Sequence, residues 1–123
     1  MRLEGLVSGE VDVVGPETTL AVAAGFMMEH SVGALAVVAR RDFAGIVTDR
    51  DIVRAASADA DLDAATVAEW MTEGPDIVPP DTSVEEAAEW LLETGYRHLP
   101  VVNDDGLIGI VDIRDVLWAI TRP

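Results

Sequence analysis

The amino-acid sequence predicts a mixed α/β (α+β) fold made of two copies of one β-α-β-β-α unit. Three observations carry that prediction: an internal repeat, apolar runs that switch between strand and helix spacing, and cap residues opening each helical run. The stretch Gly45-Ile46-Val47-Thr48-Asp49-Arg50-Asp51-Ile52-Val53 returns as Gly109-Ile110-Val111-Asp112-Ile113-Arg114-Asp115-Val116-Leu117. The offset is 109 − 45 = 64 residues, and residues 13–55 laid on 77–119 share fifteen identities in forty-three positions without a gap. Self-similarity at a fixed period marks one structural unit written twice.

Taken in order, residues 1–12 form a lead-in whose apolar positions are Leu3, Leu6 and Val7. Val13-Val14 reads as a short strand, Gly15-Pro16-Glu17 as a turn, and Thr18 or Thr19 as a helix N-cap. Leu20, Ala23, Ala24, Met27 and Met28 recur at helical spacing, ending near His30-Ser31. Gly25 within that helix costs about 1 kcal/mol relative to Ala, which predicts the close approach of another backbone. Leu35–Val38 and Ala44–Val47 read as a hairpin turning at Arg40-Arg41-Asp42, and a helix follows Thr48 to about Ala56. Asp76-Ile77-Val78, a helix with Val84, Ala87, Ala88, Leu91 and Leu92 inward, strands Leu99–Val102 and Leu107–Val111, and a helix to Ile120 repeat the pattern. The predicted organisation is a first repeat over 1–58 with its lead-in, an acidic linker over 59–65, and a second repeat over 66–123. Within the second, Thr66 caps a short helix through Val67, Trp70 and Met71.

Composition narrows the function. Twenty-three acidic residues face eight basic ones, all of them Arg, for a net charge of −15. Such a chain repels nucleic acid and anionic membranes, which sets both aside as partners. The acid excess predicts a protein that works where salt screens self-repulsion, in the cytoplasm of a halophilic archaeon. The longest apolar run, Leu20–Met28, is far short of the roughly 20 residues needed to cross a bilayer. No cysteine is present, so disulfides and thiolate chemistry are excluded. Asp59, Asp61 and Asp63 have the spacing of a calcium loop, but its sixth and twelfth places hold Ala64 and Trp70, so no metal site is predicted. Two histidines without cysteine point the same way.

The repeated stretch carries the chemistry. Thr48 followed by Asp51, and Asp112 followed by Asp115, have capping-box spacing, which local structure alone explains. The same geometry suits a nucleotide: free N–H groups at a helix start attract phosphate, a hydroxyl can join them, and a carboxylate one turn in can accept from a ribose.

The pattern resembles a tandem pair of CBS domains, a Bateman module. The residues that carry the resemblance are Pro-Glu-Thr-Thr at 16–19, Pro-Asp-Thr-Ser at 80–83, Arg97-His98-Leu99-Pro100-Val101-Val102, and the two Gly-Ile-Val stretches above. It extends from about Leu6 to Ile120. The resemblance implies two pseudo-symmetric repeats packed sheet to sheet with helices outside, clefts between them, and a homodimer formed through the helices. It also implies a regulatory role without catalysis, in which an adenosyl ligand (AMP, ADP, ATP or S-adenosylmethionine) signals to a protein effector. Carried onto this chain, Thr48 is the phosphate-side hydroxyl and Asp51 the ribose carboxylate of the first cleft. Arg50 sits beside Asp51, and Ser31, Val32, Gly33 and Ala34 line the adenine pocket. In the second copy Asp115 matches the ribose position beside Arg114, Tyr96, Arg97 and His98 match the adenine wall, and Asp112 stands where Thr or Ser is usual.

A carboxylate beside a phosphate is electrostatically costly, so Asp112 disfavours an anionic ligand in the second copy. The first copy, in turn, has Gly33 and Ala34 where the second has Arg97 and His98. The balance favours the Thr48 and Asp51 cleft. His98 as a general base lacks a companion nucleophile, so no enzyme is predicted. Trp118 stands where the first repeat has Arg54, which predicts that this end of the chain takes part in a dimer contact. The alternative function is a ligand-free structural dimerisation module.

Overall fold

A computed structural model describes residues 1–122. Its elements are a 3-10 turn Leu3–Gly5, then β1 (Val13–Val14), α1 (Leu20–His30), β2 (Ala34–Ala39), β3 (Asp42–Thr48), α2 (Asp49–Ser57), α3 (Val67–Trp70) and β4 (Thr72–Glu73). There follow α4 (Val84–Thr94), β5 (His98–Asn103), β6 (Gly106–Asp112) and α5 (Ile113–Ile120). The chain divides into two compact units: an early unit, residues 12–75, and a late unit, residues 1–11 together with 76 onward.

The units cut the chain differently from the sequence repeats, because each lead-in segment packs on the repeat that it does not precede. In the early unit, the N–H of Val67 donates to Thr18 O (2.8 Å), that of Ala68 to Pro16 O (2.9 Å), and that of Leu20 to Ala65 O (2.9 Å). In the late unit, 64 residues away on both sides, Leu3 N–H donates to Thr82 O (2.9 Å), Glu4 N–H to Pro80 O (2.9 Å), and Val84 N–H to Met1 O (3.0 Å). Leu3 and Val67, equivalent in the repeat, are both fully buried, one in each core.

This crossing explains the glycine in the repeated stretch. A Cβ on Gly45 would collide with the carbonyl oxygen of Thr72 in β4, and one on Gly109 would come within 2.5 Å of Val7 Cγ1. Each glycine is a slot through which the lead-in passes.

The early unit holds a four-stranded sheet in the order β1-β2-β3-β4, with β1 parallel to β2 and the others antiparallel. Leu20, Ala23 and Met27 of α1, Ala55 of α2 and Val67 cover Leu35, Val37 and Val47. The late unit packs Val84, Ala87, Leu91, Val116 and Ala119 on Leu99, Val101 and Val111 of the hairpin β5-β6. Burying the Leu, Val and Met side chains among them contributes about 1.5–3 kcal/mol each, which makes these two clusters the main source of stability.

Two expectations need correcting. Residues 76–78 do not form a strand; only Val78 bridges to Val101, through Val78 N–H to Pro100 O and Val102 N–H to Val78 O, both 3.0 Å. In the early unit Ala36 N–H donates to Asp12 O at 3.0 Å, but the equivalent residue in the late unit is Pro100, which has no N–H. One ladder bond is missing, and Pro79-Pro80 ends the segment at once. Gly25, for its part, is exposed, with nothing within 4 Å of an added Cβ, so no backbone of this chain approaches it.

Candidate functional site

The hairpin β2-β3 brings together the candidates of the early unit. Ala34 pairs with Thr48 across the strands, and Asp49 N–H donates to Gly33 O at 2.9 Å. Residues 31–34 are thereby fixed beside the start of α2. Ser31 caps α1 in the left-handed conformation (φ 55), a place that Gly95 takes in the late unit (φ 77), and Val32 N–H closes the turn on Met27 O at 3.0 Å. Arg50 is exposed next to this corner.

Thr48 and Asp51 form a reciprocal capping box. Asp51 Oδ2 accepts from Thr48 N–H (2.9 Å) and from its hydroxyl (3.2 Å), while Thr48 Oγ1 accepts from Asp51 N–H (3.3 Å). Asp51 is only 5% exposed, and its other oxygen, Oδ1, accepts from Arg54 Nη1 at 2.6 Å. A buried carboxylate requires such partners, since an uncompensated one costs several kcal/mol. Arg54 in turn lies over the ring of Trp70, 5.6 Å from its centroid. Arg54 and Trp70 were not among the sequence candidates. The i,i+3 spacing from Asp51 to Arg54 is the signal that could have found the first; Trp70 is placed by the swapped lead-in.

The late unit repeats the geometry with different groups. His98 pairs with Asp112, and Ile113 N–H donates to Arg97 O at 2.9 Å. Asp112 Oδ1 accepts from the N–H of Arg114 (2.7 Å) and of Asp115 (3.0 Å), and Asp115 Oδ2 accepts from Asp112 N–H (3.0 Å). Burial pushes the Asp115 carboxyl above its ordinary pKa and the Asp112 charge adds to this, against the Asp112 N–H, Arg114 and His98, which pull it down. Trp118, half exposed, occupies the Arg54 place and is covered by the Arg122 guanidinium at 4.9 Å. Tyr96 is exposed and tilted against Trp90, with 5.5 Å between ring centroids.

One expectation about the helix starts is revised. Their first N–H groups are not free: those of Asp49, Arg50 and Asp51 bond Gly33 O, Asp49 Oδ1 and Thr48 Oγ1. The one proton of the Thr48 hydroxyl is likewise committed to Asp51 Oδ2, so an anion at this corner would find the exposed Arg50 first, and the hydroxyl only if it turned from Asp51. Asp51 also has little spare capacity, because Oδ2 uses both lone pairs and Oδ1 one. Two vicinal hydroxyls could be accepted only if the Thr48 hydroxyl or Arg54 moved. Among the described residues, no group of three or more His, Asp or Glu is placed to hold a metal, and no helix is long and apolar enough to cross a membrane.

Comparison with known proteins agrees with this architecture. The CBS domain family matches residues 3–58 and again 67–122, so the chain belongs to the CBS-domain family as a tandem pair. It is 40% identical over 121 residues to an uncharacterised 17.7 kDa protein of Acidianus ambivalens, covering 97% of this chain and 73% of that one. Among solved structures, a protein with CBS domains from Burkholderia ambifaria superposes with a TM-score of 0.93 at 30% identity, covering 98% of this chain and 94% of the other. The protein CBSX2, solved in complex with AMP, superposes with a TM-score of 0.82 at 31% identity, covering 97% and 95%.

Proposed function

We propose that this protein is a non-enzymatic sensor of an adenosyl ligand, with the ligand held at the Thr48–Asp51 corner of the early unit. The observation that carries this is the placement of Ser31–Ala34 beside Thr48 and Asp51 by the Ala34–Thr48 pairing. The AMP complex of the similar protein CBSX2 supports an adenosyl ligand. Ala34, Gly33 and Val32 offer a small apolar wall for a base, Asp51 accepts the ribose hydroxyls as Arg54 moves away, and Thr48 and Arg50 meet the phosphate. In the late unit Asp112 sets a second carboxylate where Thr48 has a hydroxyl, which works against Arg97, His98 and Arg114 and disfavours AMP, ADP or ATP there, and is less adverse to S-adenosylmethionine. Binding shifts the population of conformations, and a protein partner that prefers one of them reads the shift. We place the protein in the cytoplasm, as a homodimer through its helices; the exposed Met28 (83%) and Leu92 (79%), equivalent in the repeat, support an apolar helix contact.

The test is a thermal-shift screen of AMP, ADP, ATP and S-adenosylmethionine at high salt, with each nucleotide assayed for turnover. Binding to the native state alone raises stability by about 2.7 kcal/mol at a hundredfold excess over Kd. Stabilisation by one of them without turnover supports the sensor. No stabilisation by any leaves the ligand-free dimerisation module as the better account.

A further inference from the structure

The tips of the two hairpins carry opposite charge. β2-β3 turns at Arg40-Arg41, and β5-β6 turns 64 residues later at Asp104-Asp105, both as two-residue loops behind a register shift at the same place in the repeat. All four side chains are exposed. Arg40 (φ 54) and Arg41 (φ 73) are both left-handed, a conformation that favours Gly, Asn or Asp. Such a turn is ordinarily written Asn-Gly. The late hairpin avoids the conflict: Gly106 takes the positive φ (122), and Asp105 N–H bonds Asn103 Oδ1 at 2.8 Å. Turn chemistry therefore does not account for two arginines at the early tip. They are two of only eight basic residues in a chain of net charge −15. Among the described residues neither Arg40 nor Arg41 is in an ion pair, unlike His30 with Asp12 and Arg54 with Asp51. The nearest acid in sequence is Asp42, whose backbone is paired with Ala39.

We infer that the Arg40-Arg41 tip docks on the Asp104-Asp105 tip of a second copy of this chain. Two cations on a two-residue turn meet two carboxylates on a turn of the same length, at the end of a hairpin of the same register. Over the rest of the surface, copies of so acidic a chain repel one another, so a complementary patch decides how they approach. Exposed ion pairs are individually weak and screened by salt, so the contact sets the direction of association rather than its strength. It stands apart from the ligand site and survives its failure.

The absence of cysteine makes a direct test possible. Arg40→Cys and Asp105→Cys are made as separate chains, checked for folding by circular dichroism, then oxidised alone and mixed at about 0.1 M salt, where the screening length is about 10 Å. Mixed disulfides are expected to exceed either like pair by about fivefold to tenfold, and to lose that excess at about 1 M salt. An Arg40→Asp, Arg41→Asp chain carrying Asp105→Cys should lose the excess with Arg40→Cys as acceptor only when the acceptor's own Arg41 is also reversed to Asp. A mixed yield of about twice either like pair, which is random pairing, or any smaller yield, or no disulfide at all, overturns the inference.

Discussion

Asp51 and Asp115 occupy the same place in two copies of one unit, and the residues three before and three after them differ. Asp51 has Thr48 before it and Arg54 after it, so the buried carboxylate is met by a hydroxyl and a guanidinium at 2.6 Å. Asp115 has Asp112 and Trp118 in those places, so it gains a second carboxylate and lacks a guanidinium one turn on, while Arg114 and His98 act on it as positive charges. Backbone capping is equally good in both, with Thr48 N–H to Asp51 at 2.9 Å and Asp112 N–H to Asp115 at 3.0 Å. The fold is thus indifferent to the exchange, while the charge offered to a ligand is not. Capping and ligand chemistry can diverge at one position because a cap needs only an acceptor oxygen, which Thr and Asp both supply.

The sharpest break of the symmetry should come at the glycine slots. Gly45→Ala sets a methyl against the backbone of Thr72 and should cost about 2–3 kcal/mol, read from urea denaturation. Gly109→Ala meets Val7 at Cγ1 and at Cβ, the second of which no side-chain rotation moves, but its nearest backbone atom is 3.8 Å away, so it should cost somewhat less. Equal costs would mean that both lead-ins yield alike.

Next in size is the ion pair. Arg54→Met leaves Asp51 buried without its guanidinium and should cost about 1–2 kcal/mol. The half-exposed Trp118→Met in the late unit should cost less than about 1 kcal/mol. At the αL caps the signs oppose: Ser31→Gly should stabilise by about 0.5–1 kcal/mol and Gly95→Ser should destabilise by a similar amount.

The smallest effect concerns pH. The Asp115 carboxyl titrates above its unfolded value, so the native state holds its proton longer, and the group's contribution to stability falls as pH rises from the ordinary carboxylate range through the raised one. Asp115→Asn should flatten the decline of stability with pH across that window. In Asp112→Thr, NMR titration of Asp115 should find its pKa lowered, yet still above the ordinary value, because burial is the larger cause.

How much of this could be read in the sequence follows from what each signal encodes. Capping boxes at Thr48 and Asp112, the helix start at Thr19 and the hairpins depend on residues a few places apart, and each is found where local chemistry puts it. The swapped lead-ins were not legible, because Leu3, Leu6 and Val7 announce an apolar face without naming the surface it covers. The strand over 76–78 failed through Pro100, a residue far away in sequence that lacks one N–H. Of the candidate site, the nearness of Thr48, Asp51 and the 31–34 segment was legible, whereas the partnership of Arg54 with Trp70 required the path of residues 66–73.

The central claim is that the early unit, not the late one, holds the adenosyl ligand, and calorimetric titration of AMP into the native protein, Asp51→Asn and Asp115→Asn tests it directly. One site per chain, weakened by tenfold or more in Asp51→Asn (a loss of about 1.4 kcal/mol or more) and unchanged in Asp115→Asn, is the predicted result. Loss of binding in Asp115→Asn with Asp51→Asn unaffected would contradict it.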